Sequence, residues 1–217
     1  MGEVQGINTP DLEAVANMDD AGNFYFVSTG KYSKQNMATI YRGVFKDGVV
    51  TGVAPVPGVS DQIFRMIDMD GQISPDGNTL YVSLADFTHG PPPRSSIIKI
   101  AAKNPDGSFT HLSNSAELLK NINGGDLAYA PTISRDGLEL FFNWANPSAG
   151  SMRIYVAKRG STSEPFGVPQ LVEATGDLVE AAFLSRDENR LYYHQVLETT
   201  GKGISKFGIY MLTRQGH

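Results

Sequence analysis

The residues best suited to chemistry in this 217-residue sequence are carboxylates that recur at matching points along the chain. Glu13, Asp68, Asp70 and Glu180 stand at the starts of apolar, strand-like runs, and Asp11, Asp126 and Asp177 precede such runs at similar places. Carboxylates facing one narrow channel would give hard oxygen ligands to calcium or another divalent cation, with Asp68 and Asp70 as the metal candidates. A carboxylate pair could instead supply the acid and base of glycoside cleavage, one of them with a raised pKa. That reading makes Glu13, Asp70 and Glu180 catalytic candidates, with His194 beside them. The structural alternative is loop capping and solubility at equivalent positions of a repeat. Asp68-Met-Asp70-Gly71 is not an EF-hand loop, because its glycine falls fourth rather than sixth and Thr79 stands where the closing glutamate belongs.

Four histidines, His89, His111, His194 and His217, show no His-x-His or His-x-x-x-His spacing, so no zinc pattern is present. His89, in the Thr88-His-Gly-Pro-Pro-Pro93 loop, and His194 could meet above a channel as acid–base groups. The single tryptophan, Trp144, lies between Asn143 and Asn146, a grouping able to stack on a sugar or peptide and hydrogen bond to it. A rim aromatic packed between neighbouring sheets is the alternative. Arg94, Lys31, Lys34, Lys202 and Lys206 fall in loop segments of a chain whose net charge is −5, which points to an anionic partner such as an acidic sugar. His89 and Arg94 complete the ligand-binding candidates.

The composition removes several classes. Eighteen Lys and Arg against 23 Asp and Glu give no basic footprint for nucleic acid. The absence of cysteine excludes disulfides, thiol nucleophiles and cysteine metal sites. No apolar run approaches the ~20 residues of a membrane helix. No Gly-x-Ser-x-Gly elbow, phosphate loop or dinucleotide fingerprint occurs. Met1-Gly2-Glu3-Val4 has neither a basic nor an apolar signal region. The expectation is a mature periplasmic or extracellular domain behind an added Met-Gly, with a cytoplasmic protein as the alternative.

The elements that must position these groups form a repeat. Asp20, Asp76, Asp136 and Asp187 each sit in a turn that leads into an aromatic strand: Phe24-Tyr-Phe, Leu80-Tyr-Val, Leu140-Phe-Phe and Leu191-Tyr-Tyr193. Intervals of 56, 60 and 51 residues are of the size expected for propeller blades of four short strands. The predicted fold is an all-β propeller, a single domain over 1–217 with blades near 12–59, 64–120, 126–172 and 177–213. Blade three should carry strands Leu127–Ile133, Leu138–Trp144, Arg153–Lys158 and one near Val168–Val172, and a short helix should span Ser113–Asn121. The last blade lacks an outer strand, and Val4–Ile7 is expected to complete it and close the ring. Small residues on the inner strands (Ala14, Ala16, Gly71, Ala128, Ala130, Ala181 and Ala182) suit a crowded axis. With the strands of each blade lettered A to D from the axis outward, the B–C loops, Gly30–Ala38, Ala85–Ser96, Ala145–Met152 and Gln195–Phe207, should share one face with the D–A connections.

Ser74-Pro-Asp-Gly-Asn-Thr-Leu-Tyr81 resembles the TolB-type, WD40-like propeller repeat, and Ser134-Arg-Asp-Gly137 with Leu140-Phe-Phe142 is similar. Ser185-Arg-Asp187 departs by Glu188 in the glycine position, and Met18-Asp-Asp-Ala-Gly22 departs further. The resemblance implies a bacterial envelope scaffold, a peptidase lid or a carbohydrate-active protein. The first functional expectation is a monomeric module binding a glycan, peptide or envelope protein through its loop face and axial channel. The second is a carbohydrate-active enzyme, hydrolase or lyase, using the channel carboxylates.

Overall fold

The computed structural model describes residues 3–125, 127–146, 148–172, 178–200 and 203–214. Asp126, Asp177, Lys202 and His217 lie outside them. The chain divides into two compact units, Met1–Ala116 and Glu117–His217. Each holds two antiparallel meanders, and such meanders are the blades of a β-propeller.

In the first unit, blade one is β1 (Glu13–Met18), β2 (Asn23–Ser28), β3 (Ile40–Lys46) and β4 (Val49–Pro55). Blade two is β5 (Met66–Ile73), β6 (Thr79–Asp86), β7 (Ser96–Lys103) and β8 (Phe109–His111). Tyr25, Val27 and Ile40 of one blade and Ile73, Leu80 and Val82 of the other form a buried core. Each such side chain contributes about 1.5–3 kcal/mol on burial.

A four-residue helix, α1 (Ser115–Leu118), is shorter than the predicted one. The Ser115 hydroxyl accepts the Ile100 N–H at 2.9 Å, so it serves strand β7 rather than a helix start. In the second unit, blade three is β9 (Leu127–Ile133), β10 (Glu139–Asn146), β11 (Ser151–Lys158) and β12 (Gln170–Leu171). Blade four is β13 (Val179–Leu184), β14 (Arg190–Thr200) and β15 (Gly203–Thr213), three strands among the described residues. Phe141, Ile154, Val179, Leu184 and Leu191 make the second core.

Two expectations are corrected. Val4–Ile7 does not complete blade four. Gln5 donates its N–H to the Gly48 carbonyl and accepts from Val50, each at 2.9 Å, along the outer edge of blade one. Gly6 makes this approach possible: its φ is +90°, and a Cβ there would lie 2.3 Å from the Val50 carbonyl oxygen. The expected loop Gln195–Phe207 is largely hairpin, since β14 runs to Thr200 and pairs Val196 with Phe207. Its Val196, Thr199 and Thr200 are β-branched residues that favour strand.

The turn motif does the structural work its residues imply. The Ser134 hydroxyl donates to Asp136 at 2.6 Å, Asp136 accepts the Leu138 N–H, and Gly137 takes φ +74°. Blade one achieves the turn with one residue fewer. Asp19, not Asp20, accepts the N–H groups of Ala21 and Asn23, at 3.0 and 2.9 Å.

The inner strands share a further device. Register breaks at Ala14/Asn17, Asp68/Asp70 and Glu180/Phe183, and opposite β9 between Phe141 and Asn143. Val15, Ala130 and Ala181, at three of these bulges, have positive φ. A bulge leaves backbone groups without ladder partners. In β5 and β13, buried side chains of the adjoining blade bond backbone groups at or beside the bulge. Asn17 donates to the Gly71 carbonyl and accepts from Ile73, while Asn143 donates to Val179 and accepts from Ala181. Thr39 and Thr132 donate to the Asp68 and Ala182 carbonyls.

Candidate ligand-binding site

Three connections of the first unit meet at Arg65. They are the B–C segment of blade one, the Val56–Arg65 crossing between blades, and the segment after Asp86. The Arg65 N–H donates to the Tyr32 hydroxyl at 2.7 Å, its guanidinium donates to the Thr88 carbonyl at 3.2 Å, and its own carbonyl accepts from Phe87. Gly58 lets the crossing lie against β8, because a Cβ at its φ of +81° would sit 1.9 Å from the Phe109 carbonyl oxygen. Gln62 and Arg65 are non-glycine residues at φ +56° and +70°. Such strain persists only where the surroundings over-determine it, and it concentrates at functional sites.

The result is an aromatic and cationic surface. Tyr32 and Phe64 stack with centroids 5.9 Å apart and planes 11° from parallel. Lys34 Nζ lies 5.5 Å from the Phe64 centroid, and the Arg65 guanidinium carbon 5.7 Å. Ile63 beside them is 55% exposed. Of the sequence candidates, His89 and Arg94 belong to the same loops. His89 Nδ1 lies 3.1 Å from the Thr88 hydroxyl, and Arg94 donates its backbone N–H to Asp86. Hydrogen bonds from Thr88 hold the Asp86 carboxyl below its usual pKa, with the charges of Arg94 and His89 adding to the effect.

The same crossing contributes Val59 and Asp61 to a polar cluster. Lys99 Nζ contacts both Asp61 oxygens, at 2.8 and 3.0 Å. His111 Nε2 sits 2.8 Å from the Val59 carbonyl oxygen and 3.9 Å from Asp61. Asp68, 2% exposed, is pushed up to about 7 by burial and by the Asp61 charge, with Lys99 opposing. Asp70 is also buried. Among the described residues no group of three His, Asp or Glu side chains converges as a metal cage.

The other candidates lie elsewhere. Glu13 accepts from the Thr9 N–H and hydroxyl and from Ser28, and these bonds outweigh the opposing effect of burial to keep its pKa low. In the second unit, Glu180 stands opposite His194 in register, and the Tyr129 hydroxyl lies 3.3 Å from the Glu180 carboxylate. The same sheet face carries exposed Phe183, Tyr192, Phe207 and Ile209. Trp144 donates its indole N–H to the Ile122 carbonyl at 2.8 Å and packs on Phe142 and Tyr155 of its own sheet. Asn143 is fully buried in its clamp on β13, so it has no surface for a ligand. Asn146 caps a turn through Ala149. Lys206 lies in strand β15 rather than in a loop.

Sequence reasoning missed Tyr32, Phe64, Arg65 and the Asp61–Lys99 pair. The available signal was Ile63-Phe64-Arg65, a large apolar pair followed by a cation inside a crossing that should have been plain turn.

No family model matches the sequence, and no curated protein matches it. Solved structures resemble it in fold. An endo-arabinase from Bacteroides thetaiotaomicron superposes with a TM-score of 0.57 at 17% identity, over 91% of this chain and 72% of that one. A protein assigned as TolB from Agrobacterium tumefaciens gives 0.54 at 18%, over 94% of this chain and 59% of that one. An endo-1,4-beta-xylanase from Bacteroides thetaiotaomicron gives 0.51 at 14%, over 93% and 70%. The chain thus spans little more than half the length of the TolB-assigned protein. With four antiparallel meanders and these likenesses, the chain is in fold a β-propeller similar to that of the TolB-assigned protein.

Proposed function

We propose that the protein is a binding module that takes a glycan at the loop surface of its first unit. The observation that carries this reading is Arg65, bonded to both flanking loops and so fixing the Tyr32–Phe64 stack beside exposed Ile63. Flat aromatic surface complements the apolar face of a sugar ring, and loops on a rigid β scaffold are where recognition concentrates. The fold likeness to an endo-arabinase and an endo-1,4-beta-xylanase is compatible with a carbohydrate ligand. The reading assigns a periplasmic or extracellular compartment. Among the described residues no helix is long and apolar enough to cross a membrane. A glycan array probed with the intact chain tests it: binding lost in Tyr32→Ala supports the module, and no bound glycan removes it.

A second reading, a carbohydrate-active enzyme, is favoured by one observation. Burial and the Asp61 charge raise the pKa of Asp68 to about 7, so near neutral pH about half of it is protonated, and a motion that exposes this 2%-exposed group would give it the state a general acid needs. Reducing-end release from the bound glycans decides it. Turnover abolished in Asp68→Asn supports an enzyme, and binding without turnover leaves the module.

A further inference from the structure

We propose that Lys34 and Arg65 form a subsite for the carboxylate of an acidic sugar, a uronate unit within the glycan. The inference deepens the glycan-binding reading and rests on it. Both cations lie over one ring, that of Phe64, at 5.5 and 5.7 Å from its centroid. An anion docked at that ring is attracted by both charges. Neither has a carboxylate partner among the described residues, although Lys99 of the same unit is paired with Asp61. The acids of these connections are committed elsewhere: Asp61 to Lys99, and Asp86 to the Thr88 N–H and hydroxyl.

Arg65 is held rather than draped. Its N–H, its carbonyl and one guanidinium nitrogen are each bonded to a different residue, Tyr32, Phe87 and Thr88. The backbone accepts left-handed φ at Gln62 and Arg65 to achieve this. A guanidinium fixed through one nitrogen keeps the rest of its fork for the two oxygens of a carboxylate. Lys34, exposed and without a hydrogen bond among the described residues, adds a mobile second charge. The half-buried Tyr32–Phe64 stack next to the two charges distinguishes a uronate from a bare anion, because a uronate offers an apolar ring face beside its carboxylate. An acidic peptide offers the charge without that ring.

Calorimetry on the intact chain with hexagalacturonate, neutral xylohexaose and hexaglutamate tests the subsite. Hexagalacturonate should bind about tenfold tighter than xylohexaose at low salt, and ~0.5 M NaCl should erase most of the difference. Lys34→Gln should reduce binding of the acidic sugar and leave the neutral one unchanged, while Arg65→Gln should weaken binding of both sugars and of the acidic one more. Arg65→Gln also removes a loop contact, so the exposed Lys34→Gln is the decisive variant. Equal binding of both hexasaccharides would overturn the subsite while the glycan reading stood. Failure of both hexasaccharides to bind would remove both. Tighter binding of hexaglutamate than of hexagalacturonate would overturn the assignment to a sugar.

Discussion

The Tyr32 hydroxyl accepts the backbone N–H of Arg65 at 2.7 Å, across 33 residues of sequence. This bond joins the B–C loop of blade one to the crossing that leads into blade two, and it sets the Phe64 ring on that of Tyr32. Tyr32→Phe keeps the stack and removes only the acceptor. The expected loss of stability is about 0.5–1.5 kcal/mol, the ordinary net value of one hydrogen bond. The Arg65 amide should exchange much faster in the variant by NMR, and unchanged exchange would show that the crossing is held by other contacts.

Asp68 gives a pH dependence of definite sign. Its folded pKa, about 7, lies above the ordinary 3.8, so the folded chain holds a proton that the unfolded chain releases. Stability from this group is therefore full below about pH 3.8, falls as pH rises to about 7, and is flat above that. Asp68→Asn removes the effect. The variant should gain on the parent between pH 4 and 7, by at most about 4 kcal/mol for a shift of this size. Thermal melts of both proteins across that range should diverge as pH rises. Parallel curves would contradict the placement of Asp68 in a buried, acid-flanked site.

Asn143 satisfies two backbone groups of the bulged strand β13 from a fully buried position. Asn143→Ala should strand both and cost about 2–5 kcal/mol. His194→Ala, at an exposed position of β14, should fall within about 0.5 kcal/mol of the parent. Urea midpoints measure both, and equal effects would show that the clamp contributes little.

Much of the fold was legible because the repeat is written in turn chemistry. Serine, aspartate and glycine at fixed offsets specify the hairpin, and Leu127–Ile133 matches β9 at both ends. Blade one was misaligned by one residue, since Asp19 alone fills the roles that Ser74 and Asp76 divide between them in blade two. The N-terminal strand was misplaced because four residues with one glycine carry too little pattern to choose between two sheet edges. The site was less legible. Asn143 looks like part of a binding platform in sequence, yet the hydrogen-bonding demands of the bulged strand β13 claim it. Arg65 became visible only when three connections, far apart in sequence, were seen to meet on it.

Hydrogen exchange of the intact chain, with and without a bound acidic oligosaccharide, tests the central claim most directly. Protection confined to residues 30–38, 60–65 and 87–95 is the predicted result. Protection centred on the second unit, around Glu180, His194 and Tyr192, would place the ligand elsewhere and contradict the account.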